Sequence, residues 1–76
     1  MRNEVRIPQL AVSMEGGQLA RWLVADGAKV SEGTPIYALE MEKSVQDVES
    51  PGAGIIRILV PADAYYEVGT LIAEIQ

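Results

Sequence analysis

The stretch Ala38-Leu39-Glu40-Met41-Glu42-Lys43-Ser44-Val45-Gln46-Asp47-Val48 lies near the middle of a 76-residue chain. Leu39 and Met41 stand two apart, the spacing of a strand with one buried face. Val45 and Val48 populate a second arm, where Asp47 and Glu49 are polar neighbours and the alternation is imperfect. Between the arms, Glu42 and Lys43 have no apolar reason to be buried. The pattern predicts a β-hairpin with Lys43 at its tip. The favoured Asn-Gly and Asp-Gly turns are absent; Glu-Lys suits a type I turn, which accepts most residues.

Outward from the hairpin, Val5-Arg6-Ile7-Pro8 predicts a short strand stopped by proline. Residues 9–15 form a loop. Asp26-Gly27, Glu32-Gly33, Pro61-Ala62-Asp63 and Val68-Gly69 are turn signals, and 50–54 is a loop. Ile55 to Val60 and Leu71 to Ile75 are apolar strand candidates. Gln18 to Val24 is ambiguous alone, since Leu, Ala, Arg and Trp also suit a helix.

A shift of 36 residues against itself resolves the ambiguity. Gly16 falls on Gly52, Arg21 on Arg57, Leu23 on Leu59, Val24 on Val60, Ala28 on Ala64, Gly33 on Gly69, Thr34 on Thr70 and Ile36 on Ile72. These identities run without a gap and exceed chance several-fold. Gln18–Val24 therefore shares the extended conformation expected of Gly54–Val60. Alternation puts Ala20, Trp22 and Val24 on one face beside Ile56, Ile58 and Val60, with Arg21 and Arg57 pointing away. The register fails before Gly16, which implies a longer loop in the first half. The expected fold is all-β: a flattened barrel or sandwich of two small antiparallel sheets with an internal pseudo-two-fold repeat, a barrel-sandwich hybrid. The Lys43 hairpin joins the halves at one end and the termini meet at the other. Carried back 36 residues, the tip falls at Ile7, so the symmetry offers no second lysine.

Composition narrows the function. The length allows one domain, 1–76, with a small core. Cysteine and histidine are absent, which removes the thiolate nucleophile, the usual general base and the commonest metal ligands. No catalytic or metal-binding set is expected. A net charge of −5 argues against nucleic acid or an anionic membrane as partner. No apolar run approaches the ~20 residues of a membrane span, and no signal-peptide pattern opens the chain.

The residues Ser13-Met14-Glu15-Gly16-Gly17, Trp22-Leu23, Asp26-Gly27, Val30, Gly33, Glu40-Met41-Glu42-Lys43-Ser44, Ser50-Pro51, Gly54 and Val68-Gly69-Thr70 together resemble lipoyl domains of the biotinyl/lipoyl-carrier class. The resemblance covers nearly the whole chain. It maps the family's modified lysine onto Lys43, the acid three residues before it onto Glu40, and the flanking glycines onto Gly27 and Gly54. It implies lipoate joined by an amide to Lys43, with Glu40, Met41, Glu42 and Ser44 as tip-recognition residues. Two departures are visible. Lipoyl domains most often carry Asp-Lys-Ala where this chain has Glu42-Lys43-Ser44, which keeps the acid and a small last residue. Biotinyl relatives usually show Met-Lys-Met, whereas here Met41 stands one place too early.

By this resemblance the domain is a non-catalytic carrier. It shuttles acyl groups and reducing equivalents within a 2-oxo acid or acetoin dehydrogenase complex. Its implied partners are a lipoate-attaching enzyme, a thiamine-dependent decarboxylase, an acyltransferase, of which it can itself be a part, and a flavin-dependent dihydrolipoyl dehydrogenase. An isolated domain is expected to be a monomer, in a bacterial cytoplasm or alternatively the mitochondrial matrix. Two other readings stand beside it: a biotin carrier domain with biotin on Lys43, and an unmodified protein-binding relative. A turn lysine is ordinarily only solvated, and Lys29 keeps that reading. Glu40, Glu42, Asp47 and Glu49 read as a solvated acidic face rather than a catalytic carboxylate pair. Trp22 reads as core. The loop from Gln9 to Glu15 is expected near the tip, where it would help a partner recognise the domain.

Overall fold

The computed structural model describes residues 3–76; Met1 and Arg2 of the expected domain lie outside the described residues. The elements are β1 (Asn3–Arg6), β2 (Gly16–Trp22), β3 (Lys29–Val30), β4 (Pro35–Met41), β5 (Ser44–Glu49), β6 (Gly54–Ile58), β7 (Ala64–Glu67) and β8 (Leu71–Ile75). They form two four-stranded sheets, ordered β1-β8-β6-β3 and β5-β4-β2-β7, with every pairing antiparallel. Exchanging β2 with β6, β3 with β7, β4 with β8 and β5 with β1 turns one sheet order into the other. The sequence repeat is thus a two-fold relation between whole sheets.

Each sheet turns one face inward. Val5, Ile7, Leu19, Val30, Ile36, Tyr37, Leu39, Ile56, Ile72, Ala73 and Ile75 form the buried core, with Trp22, Val24, Ile58 and Val60 partly buried against it. Trp22 belongs to this layer, as its sequence context predicts. Its ring meets Tyr37 edge to face at 5.5 Å, and its indole N–H donates to the Val60 carbonyl at 3.1 Å. Arg21 and Arg57 are exposed, as alternation requires.

The expected inner face of β2 needs one correction. Leu19 is fully buried and Ala20 only half-buried. The cause is a β-bulge between Leu19 and Arg21 in the pairing with β4. A bulge adds one residue to one strand and resets its facing. Hydrogen bonds locate the extra residue. Leu23 N–H donates to Ile36 O as Leu59 N–H donates to Ile72 O, an offset of 36. Gly27 N–H donates to Ile56 O as Asp63 N–H donates to Leu19 O. Leu19 therefore corresponds to Ile56, not to Ile55, and the offset before the bulge is one residue greater. Gly17 then corresponds to Gly54, and the Gly16–Gly52 identity is coincidental.

The longer first-half loop is present: residues 7–15 join β1 to β2, whereas only 50–53 join β5 to β6. This corrects the symmetry mate of the tip as well. Ile7 is a core residue, 1% exposed. The true counterpart of the β4–β5 turn is the gap between β8 and β1, where Asn3 pairs with Ile75. The two ends of the described chain meet there, as expected. Gly52 packs on the Asn3 side chain, just beyond the foot of the hairpin, where Glu49 pairs with Pro35. Seven-residue β4 separates that foot from the tip by roughly 20 Å at ~3.3 Å per residue.

Candidate functional site

The hairpin has the predicted form. Met41 pairs with Ser44, which leaves Glu42 and Lys43 as a two-residue turn. Neither has a positive φ, since Asp63 is the only non-glycine with one among the described residues. That excludes types I′, II and II′, which all require one, and agrees with the type I turn that the sequence suits.

Alternation sorts the arms. Leu39 and Met41 share the inner face with Gln46 and Ser44 across from them; buried Ala38 and exposed Glu40 lie on the opposite face with Asp47 and Val45. Leu39 is buried and Met41 half-buried, so the inner face of β4 anchors the hairpin to the core. Strand β5 is exposed along nearly its whole length, whereas its counterpart β1 buries Val5. The exposed turn lies beyond Leu39, the last fully buried residue of β4.

The candidate residues separate by role. Glu42, Lys43 and Ser44 are exposed at the apex. Glu40 is exposed on the outer face between Gln18 and Val45. Met41 is set apart, since its side chain packs toward the core. No hydrogen bond or ion pair holds the Lys43 amine among the described residues. Asp47 and Glu49 are exposed on the outer face, so the acidic residues form a solvated surface.

The loop after β1 does approach the tip. It is folded by its own hydrogen bonds. Gln9 Nε2 donates to Val12 O at 3.1 Å and Leu10 N–H donates to Met14 Sδ at 3.4 Å. Met14 N–H donates to Ala11 O at 3.1 Å. Val68 N–H donates to Glu15 O at 2.9 Å and ties the loop's end to the sheet. Ala11, Ser13, Met14 and Gly16 share a cleft of about 220 Å³ with Met41 and Glu42. Sequence reasoning did not find this cleft, although Met14 lies within the stretch that carries the family resemblance. It also missed Tyr65, an exposed aromatic laid so closely over Gly16 that no side chain would fit there.

The structure is a two-sheet antiparallel sandwich that presents Lys43, unpaired among the described residues, on an exposed hairpin turn. Comparison with known proteins gives the particular family. The chain matches the Biotin_lipoyl family, described as "Biotin-requiring enzyme", over residues 3–75, and it belongs to that family. It is 42% identical over 62 residues to the dihydrolipoyllysine-residue acetyltransferase component of the pyruvate dehydrogenase complex of Zymomonas mobilis, covering 80% of this chain and 14% of that protein. It is 38% identical over 60 residues to the pyruvate dehydrogenase E1 component subunit beta of Rhizobium meliloti, covering 78% and 13%. It is 37% identical over 51 residues to the dihydrolipoyllysine-residue acetyltransferase component of the acetoin cleaving system of Cupriavidus necator, covering 67% and 14%. The chain thus spans about a seventh of the length of these relatives.

Proposed function

We propose that this chain carries lipoate in amide linkage on Lys43, and that the domain itself is non-catalytic. The observation that carries the reading is the placement of Lys43: exposed, unpartnered among the described residues, and on a two-residue turn beyond the core. Acylation of Nζ requires loss of an ammonium proton and an activated carboxyl group. The turn offers no histidine or cysteine to assist, so activation belongs to the attaching enzyme. Lipoate, once bound, supplies a dithiolane that accepts and passes on acyl groups and reducing equivalents.

The chain's own contribution is positional. The anchored inner face of β4 fixes the turn, and the four-carbon lysine stem carries the group outward. Amide formation removes the lysine charge, so the arm brings no cation into an apolar channel, where an unpaired charge is costly. Tethering keeps the group at high effective concentration near successive active sites. The names of the relatives, components of pyruvate dehydrogenase complexes and of an acetoin cleaving system, support work within such a complex; the partners proposed there, from the family resemblance, are a thiamine-dependent decarboxylase, an acyltransferase and a flavin-dependent dihydrolipoyl dehydrogenase. Glu42 and Ser44, in place of methionines, favour lipoate over biotin. Intact mass after expression with lipoate, and separately with biotin, tests the proposal. One lipoyl addition and no biotin is expected; biotin alone, or an unmodified chain in both cultures, would overturn it.

A further inference from the structure

We propose that the free edge of β5 is the docking strand for the lipoate-attaching enzyme, which lays an extended segment of its own beside it; the inference rests on the lipoyl reading above. Strand β5 ends its sheet and pairs only with β4. A sheet edge offers a row of unpaired N–H and C=O groups, and proteins usually blunt it by shortness, lysine, proline or cover. Strand β3 has two residues and β1 and β7 have four each, whereas β5 has six, holds no lysine or proline, and is exposed at every residue but Val48. The pairing with β4 fixes which groups are on offer. A two-residue turn closes on hydrogen bonding between the residues that flank it, here Met41 and Ser44. Bonded and non-bonded pairs alternate along an antiparallel ladder. Leu39–Gln46 is therefore bonded, whereas Glu40–Val45 and Ala38–Asp47 are not. The N–H and C=O of Val45 and Asp47 thus point away from β4, toward the free edge.

Reach and charge identify the occupant. Before modification, the reacting amine stands on a four-carbon stem directly before Ser44, the first residue of β5. The attaching enzyme must bring an activated carboxyl group to that amine, so it has to seat against the hairpin itself. Later partners meet the far end of a longer arm and have no such need. A strand laid along β5 holds the turn at a fixed distance and angle. It also asks little of the sequence, because main-chain bonds give affinity and alternate side chains give selectivity. The side chains it meets are Val45, 58% exposed, and Asp47, with Glu40 and Glu49 exposed beside them. No cation lies between residues 44 and 49. A second copy of this chain would bring like charges together, which destabilises cross-strand pairing. The edge fits a segment with an apolar residue opposite Val45 and a lysine or arginine opposite Asp47.

The test compares two variants of the whole domain. Asp47→Ala removes the carboxylate and keeps the N–H. Asp47→Pro removes both and obstructs pairing on the free edge, a place where proline is tolerated. The two should melt at similar temperatures. Lipoylation by a lipoate-attaching enzyme is then followed over a range of domain concentrations. Asp47→Pro should show a KM roughly tenfold above that of Asp47→Ala with kcat little changed, the loss of about one main-chain hydrogen bond. Amide exchange in the parent, bound to the enzyme without a lipoyl donor, gives a readout independent of how the variants fold. Val45 and Asp47 should gain protection, and Gln46, already bonded to β4, should not. Equal KM values for the folded variants, or Val45 and Asp47 amides that exchange as in the free domain, would overturn the docking strand while leaving Lys43 as the carrier. A parent that accepts no lipoate at Lys43 would overturn both proposals.

Discussion

Tyr37→Phe should stabilise this protein. The Tyr37 side chain is fully buried, and its hydroxyl has no hydrogen-bond partner among the described residues. A buried, unsatisfied polar group costs roughly 1–3 kcal/mol. Phenylalanine removes that cost while keeping the ring and its edge-to-face contact with Trp22. A gain of about 1 kcal/mol is expected, which in a domain of this size raises Tm by roughly 4–8 °C. Alkaline pH gives an independent check. Burial pushes the Tyr37 pKa up to about 12 from an ordinary value of 10.0. A raised folded-state pKa means stability that is complete below the unfolded value and lost as pH rises through the folded one. The parent should therefore lose on the order of 2–3 kcal/mol between about pH 10 and 12 that Tyr37→Phe does not. Thermal unfolding of both proteins at neutral pH and across that alkaline window is the assay. A Phe variant less stable than the parent at neutral pH, or an identical alkaline loss in both, would refute the reasoning.

Gly54→Ala should cost roughly 2–5 kcal/mol, because φ is +152° and the new methyl would run into the Gln76 carbonyl. Gly27→Ala, with a positive φ but open space around it, should cost only about 1–2 kcal/mol; urea titration of the pair checks the ratio. Glu49→Gln, on the exposed outer face, should leave Tm within roughly 2–4 °C of the parent. It should nevertheless slow reductive acylation by a cognate decarboxylase at low salt, since exposed charge acts on encounter more than on stability; equal low-salt rates would remove that role. Glu42→Met combined with Ser44→Met should shift uptake from lipoate toward biotin, and an unchanged ratio in cells supplied with both would place recognition elsewhere on the domain.

The hairpin was legible because its information is local. Leu39 and Met41 announce a one-sided strand, and two charged residues between apolar arms announce a turn. The two-fold relation was legible because identical residues recur at a fixed spacing. Its details were not. One residue added at Ala20 shifts the facing of Leu19, yet the coincidental Gly16–Gly52 identity before the bulge let an ungapped comparison pass over it. The same comparison took no account of the longer β1–β2 loop and so misplaced the mate of the tip. Strand β3 has only two residues, too few to show a period. Strand β7, Ala64–Glu67, alternates only between half-buried and exposed, and its tyrosines resemble a surface loop.

At the site, the lysine and its flanking residues were readable from spacing, whereas the cleft was not. It exists because the loop folds back on itself and brings Met14 to Met41. No periodicity in either segment encodes that meeting. The orphaned Tyr37 hydroxyl was equally silent, since a tyrosine in a strand reads the same whether or not its hydroxyl finds a partner.

The most direct test of the central claim is peptide mapping after treatment with a lipoate-attaching enzyme, on the parent and on the exchanged pair Glu42→Lys with Lys43→Glu. Both turn residues are exposed, so the exchanged protein should fold with an unchanged melting temperature. Displacing the lysine by one position re-aims its amine. The account predicts a single lipoyl group on Lys43 in the parent and loss of most modification in the exchanged protein. Lipoyl found on Lys29 in the parent, or full modification at position 42 in the exchanged protein, would contradict it.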